Sequence, residues 1–219
     1  MTPIFSRRTN LIARLSILAG VILLVVVVGF LVWWQHSSTF TKVGVAVAQP
    51  VPYSHKLHVV ALGLNCRYCH DSVDKSAFAD LPSTETCMTC HSQIATNVAD
   101  LAPVRDSWAT GNPIQWNRVN QLADFVYFNH EIHIAKGVGC ETCHGRVDTM
   151  TTDVKANAFN MTFCVNCHRD PAQYLRPLDQ IYTMGYKPAG DQLTIGKQLM
   201  QEYNIMPPSQ LTNCSICHR

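Results

Sequence analysis

The sequence predicts a mainly α-helical chain with much irregular structure, made of a single N-terminal transmembrane helix and an exported domain of short helices and loops. Three observations predict it. Leu15 to Trp34 form an uncharged apolar run of twenty residues. All ten cysteines fall in Cys-x-x-Cys-His units. The stretches between these units carry proline, tryptophan, tyrosine and methionine without a pattern of regular strands, so little or no sheet is expected.

The chain has 219 residues. Removing the apolar run and what precedes it leaves about 185 residues in water, enough for one or two ordinary domains. The net charge is +2 and only 15% of residues are charged, which gives no electrostatic footprint for a nucleic acid or another polyanion.

Twenty uncharged residues are long enough to cross a bilayer as a helix. Trp33 and Trp34 close the run at the level where aromatic side chains anchor in the interface. Arg7, Arg8 and Arg14 all precede it. The positive-inside tendency then holds residues 1–14 in the cytoplasm and exports everything after Trp34. A cleaved leader is the rival reading, with Ala46-Val47-Ala48 as its cleavage site. That site lies fourteen residues beyond Trp34, and the apolar run exceeds an ordinary leader's hydrophobic region, so a retained anchor is expected.

The five cysteine units are Cys66-Arg67-Tyr68-Cys69-His70, Cys87-Met88-Thr89-Cys90-His91, Cys140-Glu141-Thr142-Cys143-His144, Cys164-Val165-Asn166-Cys167-His168 and Cys214-Ser215-Ile216-Cys217-His218. Two thiols three residues apart share one face of a helical turn and can add to the two vinyl groups of one haem, while the adjacent histidine reaches the iron. Chance placement at this composition would give roughly 0.02 such units, against which structural zinc or a thioredoxin-like cysteine pair has little weight. Five covalently bound haems c are expected, attached outside a bacterial plasma membrane on the periplasmic side. Five porphyrins would supply the apolar core that so short a chain lacks.

A duplication organises the exported part. The first half reads His55-x2-His58-x7-CxxCH-x16-CxxCH and the second His130-x2-His133-x6-CxxCH-x19-CxxCH. Tyr53-Ser-His-Lys-Leu-His matches Phe128-Asn-His-Glu-Ile-His, and Val73-Asp74 matches Val147-Asp148. The expected organisation is a linker over 35–52, a first dihaem module over 53–91, a haem-free connector over 92–127, a second dihaem module over 128–168 and a C-terminal extension over 169–219 with the fifth haem.

Electron-transfer haems carry a second axial ligand, so five more ligands are wanted. Outside the motifs stand five histidines: His36, His55, His58, His130 and His133. His36 follows the membrane segment and has no counterpart in the repeat, so it reads as an interfacial polar residue. The other four match four haems, and histidines three apart on a helical turn can serve two neighbouring haems. His130-Glu131-Ile132-His133 is not a zinc-protease site, because that motif needs histidines four apart. The expected metal ligands are thus His70, His91, His144, His168 and His218 from the motifs, with His55, His58, His130 and His133 opposite. For the fifth haem, Met206 lies eight residues before Cys214, as His58 lies eight before Cys66. Met184 and Met200 are the competing methionines. Methionine ligation raises the reduction potential relative to bis-histidine, which predicts that electrons leave near the C-terminus.

The paired His-x-x-His segments with their CxxCH units resemble the class III multihaem cytochromes. The whole order of parts resembles the pentahaem cytochrome subunit of alternative complex III, a bacterial quinol:electron-acceptor oxidoreductase. The resemblance rests on the anchor, on Asn129-His130-Glu-Ile-His133-Ile-Ala-Lys-Gly-Val-Gly-Cys140 and on Met206-Pro-Pro before the fifth motif. It implies an electron-transfer subunit with no substrate site of its own. It also implies membrane-complex partners: an iron–sulfur protein, polytopic quinol-binding subunits and a monohaem cytochrome c. The implied acceptor is a soluble cytochrome c, a blue copper protein or a high-potential iron–sulfur protein. Two other functions compete. A single-anchor quinol dehydrogenase of the small tetrahaem type keeps a haem beside its anchor, but here Gln35 to Asn65 intervene. A pentahaem oxyanion reductase needs an open iron position and commonly a lysine-terminated motif, whereas all five motifs here end in histidine.

Overall fold

A computed structural model describes residues 6–218. The start of the expected cytoplasmic segment, 1–5, and the last residue of the C-terminal extension, Arg219, lie outside the described residues. The chain divides between Val43 and Gly44 into two compact units.

The first unit is built on α1, Arg7–His36. The Ser6 hydroxyl caps it by accepting from the Thr9 amide at 3.2 Å, and no proline follows within its thirty residues. The helix therefore extends past the uncharged run at both ends, taking in Arg7, Arg8 and Arg14. None of its side chains is buried, and among the described residues it is the one helix long and apolar enough to cross a membrane. His36 stays within it, with Nδ1 2.8 Å from the Val32 carbonyl. A short α2, Ser38–Thr41, ends on Lys42 in the left-handed region.

The second unit is helical and irregular, as the sequence predicts. Helices α3 (Cys66–Cys69), α4 (Thr84–His91), α7 (Cys140–His144), α8 (Met161–Arg169) and α11 (Cys214–Cys217) each carry one cysteine motif. Between them lie α5 (Ala102–Thr110), α6 (His130–Ala135), α9 (Gln192–Glu202) and α10 (Pro208–Leu211). No β-strand forms among the described residues, where the extended segments meet only in isolated bridges such as Val126 with His218 and Val138 with Leu175.

The motif helices are too short to persist on propensity alone, and side-chain caps start four of them. Asn65 and Asn213, immediately before the first and fifth motifs, accept from the amides of Arg67 at 2.9 Å and Ser215 at 3.2 Å. Ser83 and Asn160 cap α4 and α8 in the same way, satisfying amides that the helix itself leaves orphaned. The 169–213 stretch holds more order than its composition suggests. Asp191 caps α9 by accepting from both the amide and the hydroxyl of Thr194 at 2.8 Å.

The polypeptide core is small. Among the described residues the buried apolar side chains are Val51, Val73, Val104, Ala172, Leu175, Ile181 and Leu199. Four of these seven come from the 172–199 region, where α9 packs on the turn Pro171–Gln173. Gly196 makes that approach possible: a Cβ there would lie 1.9 Å from the Ala172 carbonyl oxygen.

Candidate haem-binding centres

The structure brings each motif histidine of the two modules opposite one histidine of a His-x-x-His pair. His55 faces His70 with ring centroids 6.5 Å apart, and His58 faces His91 at 6.3 Å. In the second module His130 faces His144 at 6.5 Å, and His133 faces His168 at 6.2 Å. A metal–imidazole bond is about 2 Å and the ring centroid lies about 1.1 Å beyond the nitrogen, so two imidazoles on opposite sides of one iron stand about 6.2 Å apart. The donor set and its spacing fit an iron held between each pair.

The local sequence explains why the distal histidines point as they do. His130 and His133 occupy the first and fourth residues of α6, capped by Asn129. His55 and His58 sit at the start of the wider helical turn Lys56–Ala61. Tyr53 stacks on His58 and Phe128 on His133, both with centroids 4.5 Å apart. The same two aromatics meet His55 and His130 edge-on. The aromatic before each pair is thus a wedge that orients both imidazoles, a role the aligned repeat text could have signalled.

Apart from that of His144, each Nδ1 of the two modules donates to an oxygen, which leaves Nε2 for a metal. His58 and His133 donate to the carbonyls of Ser54 and Asn129 on their own turns, at 2.9 and 2.7 Å. His70 donates to Asp80 at 2.9 Å, His91 to Ile94 at 3.1 Å and His168 to Leu211 at 3.0 Å, all at backbone carbonyls. His144 Nδ1 lies 3.3 Å from the side-chain amide of Asn120. Burial, then the nearby His130, lowers the His144 pKa to about 4, and burial first also lowers that of His133. Both shifts favour the neutral ring, the form that ligates a metal.

The two inner histidines reach across the duplication. His130 Nδ1 donates to the carbonyl of Ala77, in the loop after the first motif. Reciprocally, His55 Nδ1 donates to the carboxylate of Asp153, in the loop after the third motif. Backbone bonds run the same way, from His130 and Glu131 to Ala77 and Ser76, and from Lys56 to Met150. The first and third motifs are thus neighbours, although sixty-nine residues of chain separate them.

The cysteines follow the same order. Burial pushes the Cys140 thiol up to about 12, with Cys66 the next cause. Burial likewise pushes Cys143 up to about 12, with Cys167 and Cys164 next, and raises Cys164, with Cys217 next. Cys69 is raised by burial and then by Cys87. A thioether carries no such charge, so surroundings this dry suit the sulfurs as haem links.

The third motif is also clasped from outside. Glu141, between its cysteines, pairs with Arg176 at 2.9 Å, and both side chains are largely buried at 15% and 7% exposure. The Glu141 carboxylate accepts from the amides of Gly185 at 2.6 Å and Tyr186 at 3.1 Å. Arg176 donates to the Thr183 carbonyl at 3.1 Å and lies over the Tyr186 ring. Gly139 leaves room for the guanidinium, which a Cβ would approach to 2.3 Å.

The fifth motif differs. His218 Nδ1 lies 3.4 Å from the Phe125 carbonyl, its ring 5.7 Å from that of Phe125, and Tyr127 donates its amide to the Cys217 carbonyl. Met206 stands in the loop between α9 and α10, 45% exposed. No grouping of three or more His, Cys, Asp or Glu side chains able to hold a bare metal ion occurs among the described residues.

Cysteine pairs with an adjacent histidine, four of them faced by a second imidazole, are the arrangement by which multihaem c-type cytochromes hold haem covalently. Residues 126–219, which hold the last three motifs, match the family model of cytochrome c7 and related cytochrome c. The multihaem cytochrome c subunit of menaquinone reductase from Nitratidesulfovibrio vulgaris (strain Hildenborough) is 35% identical over 113 residues, which are 51% of this chain and 51% of that protein. The chain therefore spans about half the length of this curated relative.

Proposed function

We propose that the chain holds five haems c and conducts electrons within a quinol-oxidising membrane complex of the alternative complex III type. The single observation that carries the electron-conducting reading is the set of four imidazole pairs at iron-bridging separation, each beside its own cysteine pair. Each haem iron supplies one-electron exchange. The paired histidines of the two modules would hold iron between them and would leave no position there for a substrate. His218 with Met206 is the proposed ligand set of the fifth centre. Its methionine raises the potential there and makes it the exit towards a soluble cytochrome c, a blue copper protein or a high-potential iron–sulfur protein.

The cross-module hydrogen bonds support a spatial order of second, first, third, fourth and fifth motif, with intake at the Cys87–His91 end. The small polypeptide core supports the reading that the haems supply most of the buried apolar surface. Helix α1 is proposed as the single-pass anchor, with its arginines cytoplasmic and residues from Gly44 onwards periplasmic. The proposed partners are an iron–sulfur protein, polytopic quinol-binding subunits and a monohaem cytochrome c.

The relative's name favours a second reading, in which the same wire delivers electrons to menaquinone. Purifying the native complex separates the two. Quinol-dependent reduction of a soluble acceptor supports the first, and quinone reduction by an external donor supports the second. Haem analysis of the complex is expected to give five haems c in this chain, all low-spin and unreactive with carbon monoxide. Met206→Ala should then create one high-spin centre of lower potential. An unchanged spectrum removes Met206 from the ligand set.

A further inference from the structure

The inner centres of the two modules are built alike, yet one differs in what holds its distal histidine. The His55 and His70 rings lie 12° from parallel and the His130 and His144 rings 6°. His130 Nδ1 donates to a neutral backbone carbonyl at 2.9 Å. His55 Nδ1 lies 2.7 Å from the Asp153 carboxylate. Asp153 supplies the one carboxylate bonded to a ligand Nδ1 among the described residues, the other partners being carbonyls or the Asn120 amide. Among the described residues it also has no Lys or Arg within ion-pair distance. Its charge is therefore directed at the imidazole rather than spent on a cation.

An anionic acceptor draws the Nδ1 proton towards itself and makes Nε2 a stronger donor to the metal. A stronger donor stabilises ferric over ferrous iron, and a neutral carbonyl does this less. We infer that Asp153 is a positioning residue that sets the His55/His70 centre at a lower reduction potential than its copy at His130/His144, so that electrons run downhill from the first module into the second. The inference rests on the reading that each pair holds a haem. In the step itself, ferrous iron at His55/His70 is oxidised and ferric iron at His130/His144 is reduced by one electron. No bond breaks, and the proton stays in the Nδ1–Asp153 hydrogen bond. Asp153 is the one carboxylate among the Nδ1 partners of the two central sites, and it tilts the wire between them.

The test uses the full chain in its native complex. Haem content is measured first, and fewer than five haems would count against the proposed function alone. In spectropotentiometric titrations Asp153→Asn should raise one midpoint, with the equilibrium constant for electron transfer between the two inner centres falling about tenfold, a shift of about 59 mV. Haem content and low-spin spectra should stay unchanged, and Asp153→Glu should restore most of the shift, which a merely structural role would not do. Unchanged midpoints, or equal movement of all of them, would overturn the inference. The parent protein provides a second reading should Asp153→Asn fail to assemble. Its two inner centres are assigned by the signals lost in His55→Met and His130→Met, and a His55/His70 midpoint at or above that of His130/His144 refutes the proposal.

Discussion

The clasp on the third motif makes an asymmetric prediction. Glu141 and Arg176 form a largely buried ion pair, but what each keeps when the other is removed is unequal. Without Arg176, the Glu141 carboxylate still accepts from the Gly185 and Tyr186 amides. Arg176→Met therefore costs about one charge-assisted hydrogen bond, roughly 1.5–3 kcal/mol. Without the Glu141 charge, Arg176 stays buried with one carbonyl acceptor, the Thr183 oxygen. Glu141→Gln thus leaves an uncompensated buried cation, at about 3–5 kcal/mol. For a unit of this size each kcal/mol lowers Tm by about 2–4 °C. The expected losses are then about 6–20 °C for Glu141→Gln and about 3–12 °C for Arg176→Met, read by thermal unfolding of the haem-loaded protein. Glu141→Gln should be the more damaging of the two. An equal or larger loss in Arg176→Met would refute the assignment of the two backbone amides as the carboxylate's reserve support.

Three further outcomes follow from the geometry. Gly196→Ala pushes a methyl group into the Ala172 carbonyl and should destabilise α9 against the preceding turn by about 1–3 kcal/mol, measured by the unfolding midpoint. His133→Ala should leave one haem high-spin and able to bind carbon monoxide while the other spectra stay as they were, since His133 faces His168 alone at bridging distance. Asp148, buried beside Arg146 with bonds of 2.9 and 2.8 Å, has its carboxyl held below the usual range chiefly by that hydrogen bond. Its stabilisation is present above the unfolded carboxyl pKa and is lost as pH falls through the lower folded value. Asp148→Asn should therefore be less stable at neutral pH and lose less on acidification, and parallel acid-unfolding curves would contradict this.

Much of the proposed site is legible because the motif for covalent haem attachment is local in sequence. Two cysteines and a histidine must share one helical turn, so the ten cysteines and five proximal histidines can be read without knowing the fold. The duplication also marks the four histidines that face the motif histidines, since it repeats His-x-x-His at a near-constant distance from the next motif. It also held a less obvious signal: Tyr53 and Phe128 align, and both prove to be the aromatic that stacks on a distal histidine. Val73-Asp74 and Val147-Asp148 align too, and both aspartates pair with a nearby arginine, Arg67 at 3.8 Å and Arg146 at 2.8 Å.

The sequence by itself determined the chemistry of the centres, the apolar N-terminal helix and the predominance of short helices, because each depends on residues close together in the chain. Tertiary structure alone decided the pairing of His55 with His70, His58 with His91, His130 with His144 and His133 with His168, since neighbours three apart on one turn are equivalent in sequence. It alone showed that the first and third motifs adjoin and that Asp153 lies against His55, ninety-eight residues away. The Glu141–Arg176 clasp was hidden for the same reason. Hydrogen bonds between distant loops depend on how the modules dock, and no local period or composition records that.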